Sequence, residues 1–315
     1  MYNVHLTHSL LCFEFVELTL FYLCLIVGCM FIGAAQAASP KAKHVVYIGL
    51  DGWGSYSMAK ADMPTIRSLM EKGCYTLKKR TVLPSSSAVN WASMFMGAGP
   101  ELHGYTEWGS RTPELPSRVI VKNNIFPTIF QLYRDAYPDA EIGVLSEWAG
   151  IQYLVDTLST NYHAVAPDYN KYPEALCEMS EKYIKEKKPS LVAICFDNPD
   201  HVGHQIGHDT PEYYSKLKEL DGYIGRIVKA VEEAGMMDNS IFIITSDHGG
   251  IKKGHGGKTM QEMETPFIIA GKNIKQGGEF QESMVQYDVA ATIAYIFRLK
   301  QPQVWTGRPM KQIFK

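Results

Sequence analysis

From residue 44 onward the chain alternates between two kinds of hydrophobic pattern. Short apolar runs fall at residues 45–50, 75–83, 141–145, 191–196, 241–245 and 267–270. Runs of this length, rich in β-branched residues and bounded by turn residues, predict strands. Between most of them lie stretches with helical spacing, at residues 64–72, 87–96, 127–137, 173–187, 211–234 and 288–297. Several begin as helices do: Thr210-Pro211 places a capping hydroxyl before a proline in the first turn. Strands alternating with helices predict an α/β fold, a three-layer sandwich with a largely parallel central sheet covered on both faces.

Residues 1–40 break this pattern. No charged residue occurs from Leu18 to Pro40, and the apolar stretch 20–32 runs into Ala35-Gln36-Ala37, a small-x-small motif of the kind cut in export signals. We read residues 1–37 as a signal peptide and residues 38–315 as a single catalytic domain, exported to the periplasm or the extracellular space. Glu14 and Glu17 stand where an export signal carries positive charge. That departure keeps two alternatives open, a membrane anchor and a lipid anchor at Cys29, and membrane contact is expected only through this segment if it stays uncleaved. The leader holds three of the six cysteines; Cys74, Cys177 and Cys195 are scattered beyond it without metal-ligand spacing, which excludes a disulfide framework. With 31 basic and 33 acidic residues, two of the latter in the leader, the rest of the chain is electrically balanced. No basic footprint for nucleic acid is present.

In open α/β sheets the ligand site lies beyond the carboxyl ends of the strands. Polar residues stand at those positions here. Asp51 follows the first run, Asp197 to His208 follow the fourth, and Asp247-His248 follow the fifth. Five of the ten histidines fall between His201 and His255, interleaved with Asp197, Asp200, Asp209 and Asp247. Histidine and carboxylate are the ligands that zinc takes. Asp200 and His204, four apart, converge if their segment makes one turn, and Gly203 permits a tight bend there. Taken alone the pair is equally a solvated loop, Asp247 a turn residue and His255 an exposed loop histidine. The irregular stretches 97–126 and 147–172, rich in Pro, Gly and aromatic residues, are candidate substrate-facing loops.

In order, the chain reads IGLDGWG at Asp51, TVLPSSSAVNWASMFMG around Ser87, PDHVGH at Asp200, SDHGG at Asp247 and GHGG at His255. Together these motifs resemble the alkaline phosphatase superfamily, and most closely its type I phosphodiesterase and nucleotide pyrophosphatase branch, over nearly the whole of residues 44–308. The resemblance implies two metal ions, zinc or another divalent ion such as Mn²⁺. One would be held by Asp51, Asp247 and His248, the other by Asp200, His204 and His255, with Ser87 as nucleophile facing the first. Three protein ligands and an open position are the ligand count of a catalytic zinc. Metal coordination favours the alkoxide of a serine without a separate general base. A covalent phosphoserine, then its hydrolysis, predicts retention of configuration at phosphorus. At the start of the 87–96 helix, Ser87 also stands where unpaired N–H groups would meet a phosphate.

Ser85 and Ser86 adjoin Ser87, and the family spacing to Asn90 selects Ser87 among the three. His201 and His208 are expected to support the site or face solvent. Asn90, Glu107 and Trp108 are candidate substrate contacts. Relatives carry a phosphate-binding Asn shortly after a His-Gly pair; here the pair is His103-Gly104, and Glu107-Trp108 stand at that place. An acidic residue there either disfavours a dianionic monoester or meets a cationic or hydroxylated substituent, and Trp108 is either a stacking surface for a base or sugar or a core or lid aromatic. The expected substrate is a small-molecule phosphate ester and the expected enzyme a phosphodiesterase, with a phosphomonoesterase on the same metals and a non-catalytic metal-binding relative as alternatives. No Cys/Ser-x-Pro-x-Arg motif is present to serve a sulfatase, and no inserted domain fits a phosphoglycerate mutase.

Overall fold

The structure, a computed structural model, describes residues Pro40–Lys315, which form one compact unit. The expected signal peptide lies outside the described residues. Eight strands form one sheet: β1 (His44–Leu50), β2 (Cys74–Arg80), β3 (Ile142–Ser146), β4 (Tyr162–Val165), β5 (Leu191–Phe196), β6 (Ser240–Thr245), β7 (Glu264–Gly271) and β8 (Gly278–Glu279). The spatial order is β4-β3-β5-β1-β6-β7-β2-β8. β1 pairs in parallel with both β5 and β6, and β7 alone runs against its neighbours, antiparallel to β6 and β2.

Alternate residues of β1 point to opposite faces, as a pleated strand requires. Val45 and Tyr47 enter one apolar cluster, while Val46, Ile48 and Leu50 enter the other. The first cluster is completed by α2 (Ser87–Met96), α3 (Ile129–Ala136) and α7 (Asp288–Ile296); the second by α1 (Pro64–Lys72), α4 (Ala175–Lys187) and α6 (Pro211–Glu233). A further short helix, α5 (Asp200–Gln205), follows β5. α2 is buried along its entire length because the sheet lies on one side and α3 and α7 on the other. The sandwich expected from the pattern is therefore present.

β4 falls inside the stretch expected to be irregular. It is an edge strand whose four residues are exposed or half-buried, so it carries no apolar run. β2 ends at Arg80, short of the predicted residue 83, because the chain leaves β7 there and turns toward α2. Cys74, Cys177 and Cys195 are free and buried. Among the described residues no helix is long and apolar enough to cross a membrane.

Candidate active site

β1, β5 and β6 are parallel neighbours, so their carboxyl ends deliver Asp51, the 197–208 segment and Asp247-His248 to one edge of the sheet. Between Asp51 and Trp53 the backbone passes so close to Asp200 that a Cβ on Gly52 would lie 2.6 Å from Asp200 Cβ, and its φ of +72° belongs to the left-handed region. Glycine alone suits both conditions. The same Gly52 donates its N–H to Asp247 Oδ1 at 3.1 Å.

Ser87 opens α2 above this edge. Its Oγ lies 3.1 Å from His248 Nε2 and 3.5 Å from Asp51 Oδ1. The neighbouring hydroxyls point elsewhere: Ser85 Oγ donates to Gly257 O at 2.7 Å and accepts from Gly256 N at 3.1 Å, and buried Ser86 Oγ has no hydrogen-bond partner. Ser87 is thus the one of the three whose hydroxyl meets the carboxylate and imidazole groups. The Ala88 N–H donates to Trp108 O at 3.1 Å, so this helix start offers fewer free donors to an anion than its sequence suggested.

Three histidines are oriented alike. Nδ1 of His204, His248 and His255 sits 3.0, 2.7 and 3.0 Å from the carbonyls of Lys253, Gly249 and Ser85. A carbonyl accepts and never donates, so each Nδ1 carries a hydrogen and each Nε2 is the nitrogen turned inward. His248 Nε2 is 3.3 Å from Asp51 Oδ1 and 3.2 Å from Asp247 Oδ2. His204 Nε2 is 3.1 Å from both His255 Nε2 and Asp200 Oδ2, and His255 Nε2 is 3.8 Å from Asp200 Oδ2. The His248 and His255 rings stack at 3.7 Å.

Lone pairs and carboxylates facing one another repel unless something positive stands between them. The protonation equilibria register this. Burial, then repulsion from Asp247 and Asp200, pushes the Asp51 carboxyl well above the ordinary carboxylate range. Burial and Asp200 push Asp247 up to about 8, and its Oδ2 is a buried acceptor without a hydrogen-bond partner. Burial holds the His248 imidazole neutral, far below its usual pKa. Its hydrogen bond with Asp200 pushes His204 up to about 9, a proton standing where a cation could. Two sets of ligand atoms converge closely enough for a metal ion: Asp200, His204 and His255, and Asp51, Asp200 and His248. The donor chemistry and the inward Nε2 atoms fit divalent ions of the zinc type. Asp200 belongs to both sets, and Asp247 adjoins the second through its Oδ2, 3.2 Å from His248 Nε2.

A cavity of about 550 Å³ opens next to His204 and His255 and is lined also by Pro84, Ser86, Thr106, Glu107, Trp108 and Gly256. Glu107 and Trp108 therefore reach the site, and Trp108 is 68% exposed. Asn90 does not reach it. Its Oδ1 accepts from Val82 N at 2.8 Å and its Nδ2 lies 3.0 and 3.1 Å from the carbonyls of Ser86 and Pro84. The buried amide is consumed in shaping the loop that presents Ser87, which corrects its expected role as a substrate contact. Half-buried His201 bonds with Gln205 and packs edge-on against Tyr169, outside the site. Gly203 lies within α5 rather than at a bend, with the His208 ring against it.

Two supporting residues escaped the sequence reading. Trp91 Nε1 donates to Asp51 Oδ2 at 2.9 Å, although its place in α2 reads as core. Lys79, fully buried, donates to Ser246 O at 2.8 Å and bonds with Gln286, which itself donates to Asp247 O at 2.8 Å. No spacing rule links residues so far apart in sequence.

A family model described as type I phosphodiesterase / nucleotide pyrophosphatase matches residues 45–254. Human ectonucleotide pyrophosphatase/phosphodiesterase family member 1 is 22% identical over 59% of this chain and 21% of its own length. Mouse bis(5'-adenosyl)-triphosphatase is 22% identical over 68% of this chain and 48% of its own. The chain spans less than half the length of these relatives. Among solved structures, an inactive murine ectonucleotide pyrophosphatase/phosphodiesterase 5 in complex with AMP superposes with a TM-score of 0.72 at 14% identity, over 87% of this chain and all of that one. That likeness establishes the fold. With two thirds of its length matched by the family model and the family's motifs gathered at one edge of the sheet, the chain belongs to the type I phosphodiesterase / nucleotide pyrophosphatase family.

Proposed function

We propose that the protein is an exported di-zinc phosphodiesterase that cleaves small-molecule phosphate diesters through a phosphoserine on Ser87. One ion would be held by Asp51, Asp247 and His248, and the other by Asp200, His204 and His255. The observation that carries this reading is the convergence of three inward Nε2 atoms and three carboxylates at the strand ends, where Ser87 Oγ lies 3.1 Å from His248 Nε2 and 3.5 Å from Asp51 Oδ1. When bound, the ions would favour ionisation of the serine hydroxyl and neutralise charge developing on the phosphoryl oxygens.

The chain's own residues position the reaction. α2 fixes Ser87 at its first turn, so Oγ attacks from one place, forming the Oγ–P bond as the bond to the leaving alcohol breaks. Water then attacks the phosphoserine, releasing Oγ and the product. Two in-line displacements give retention at phosphorus. Trp91 holds the ligating carboxylate of Asp51 from behind. Trp108 and Glu107 line the space available to the organic group, and no Lys or Arg is among the residues lining that cavity. The Glu107 carboxylate adds negative charge beside the phosphoryl position, which favours a monoanionic diester over a dianionic monoester.

The test uses purified, zinc-loaded protein with bis-p-nitrophenyl phosphate, p-nitrophenyl phosphate and a nucleotide diester. The diesters are expected to be turned over faster than the monoester, and Ser87→Ala to lose at least about 10³-fold in kcat while still binding two ions. A monoester preference, or a Ser87→Ala variant that keeps its activity, refutes the proposal.

A further inference from the structure

His208 follows α5 and lies buried beneath Asp200, with its side chain wholly shielded from solvent. Both ring nitrogens lack hydrogen-bond partners. Asp200 Oδ1 is also buried without a hydrogen-bond partner. These two unmatched groups face each other: His208 Nε2 lies 3.6 Å from Asp200 Oδ1. Buried polar groups left unpaired are rare and destabilising, and closing this gap by a few tenths of an ångström would pair Nε2 with Oδ1.

The surroundings are shaped for the ring. A Cβ added to Gly203 would lie 2.4 Å from His208 Nε2, and one added to Gly250 would lie 2.3 Å from it. Gly203 is on α5 and Gly250 follows the Ser246-Asp247-His248 segment, so two elements both leave room for one imidazole. The Tyr213 ring closes the slot with its centroid 5.4 Å from that of His208. On the other side of the carboxylate, Asp200 Oδ2 faces His204 and His255.

We propose that His208 is a positioning residue: its Nε2–H bonds Asp200 Oδ1 and so turns Oδ2 toward the cation shared with His204 and His255. The inference rests on the metal-binding reading of the site. A neutral imidazole has one donor and one acceptor nitrogen, so donating from Nε2 fixes the tautomer with Nδ1 bare. Partners of this kind, one layer behind the ligands, are worth about tenfold to a hundredfold in metal affinity.

Two measurements on the full chain decide the matter. Zinc titration against a chromogenic chelator is expected to show two ions bound by the wild type, with one weakened about tenfold to a hundredfold in His208→Leu and largely restored in His208→Gln, which keeps an N–H. Metal-free melting of both variants reports any loss of fold separately. Two results overturn the inference: wild-type affinity in His208→Leu, or equal weakening in both variants, which would make the ring a space-filler. Should His208→Leu fail to fold, ¹⁵N-histidine NMR of the wild type reads the ring directly. A protonated Nε2 retained after zinc loading supports the proposal; a bare Nε2, or zinc bound to it, overturns it. A protein that binds no zinc at all refutes the proposed function along with this inference, whereas two tight sites indifferent to His208 refute the inference alone.

Discussion

Replacing Trp91 by Phe probes how the site is held together. The indole is 1% exposed, and its Nε1 supplies the one hydrogen bond recorded for Asp51 Oδ2, at 2.9 Å. Gly49 on β1 makes room for it, since a Cβ there would lie 2.2 Å from the ring. Phe keeps the stacking on Phe95 and loses the donor. Without metal, burial, Asp247 and Asp200 push the Asp51 carboxyl well above its ordinary range, toward the uncharged form. With metal, Asp51 must be ionised and the bond is charge-assisted, worth about 1.5–3 kcal/mol. An uncharged pair is worth about 0.5–1.5 kcal/mol, and the difference of about 1–1.5 kcal/mol should appear as metal affinity roughly fivefold to tenfold weaker at the Asp51 site. Chelator competition measures it, and the metal-free melt isolates the packing loss. Wild-type affinity for both ions in a folded Trp91→Phe protein would refute this role for the indole.

Asn90→Ala should destabilise the fold by about 2–3 kcal/mol, since a buried amide and the backbone groups it serves lose their partners; a change confined to KM, with the denaturation midpoint unmoved, would return Asn90 to the substrate. Trp108→Ala should raise KM for aromatic diesters about tenfold with a smaller change in kcat, and unchanged steady-state constants would remove the indole from the binding surface. Glu147 is pushed up to about 8, mainly by burial, against an ordinary value of 4.5. A folded pKa above the unfolded one means the penalty is absent below pH 4.5, grows as pH rises, and is complete above pH 8. Glu147→Gln should therefore match the wild type in metal-free stability at pH 4 and exceed it by roughly 5 kcal/mol at pH 9; urea titrations at the two pH values check this, and a constant difference would contradict it.

The sheet was legible where burial on both faces writes itself as an unbroken apolar run, as in Leu191–Phe196, which is buried throughout. β4 was not, because an edge strand whose residues face solvent has no such signature. The reversed direction of β7 was equally hidden, since an apolar run carries no sign of which way it crosses the sheet. The candidate ligand residues could be singled out because strand ends concentrate Asp and His in short motifs. The meeting of both groups at Asp200, the use of the Asn90 amide within its own loop and the bonds from Trp91 and Lys79 depend on side-chain directions set only by tertiary packing. Gly203 illustrates the point: the sequence suggested a bend, and the structure shows a helical residue made small by the imidazole packed against it.

The central claim, that two cations flank Ser87 Oγ, is tested most directly by anomalous diffraction at the zinc edge from crystals of the loaded protein. Two peaks roughly 4 Å apart, one bounded by Asp51, Asp247 and His248 and the other by Asp200, His204 and His255, are expected. A single peak, or zinc bound elsewhere with Ser87 Oγ still hydrogen-bonded to His248, would contradict it.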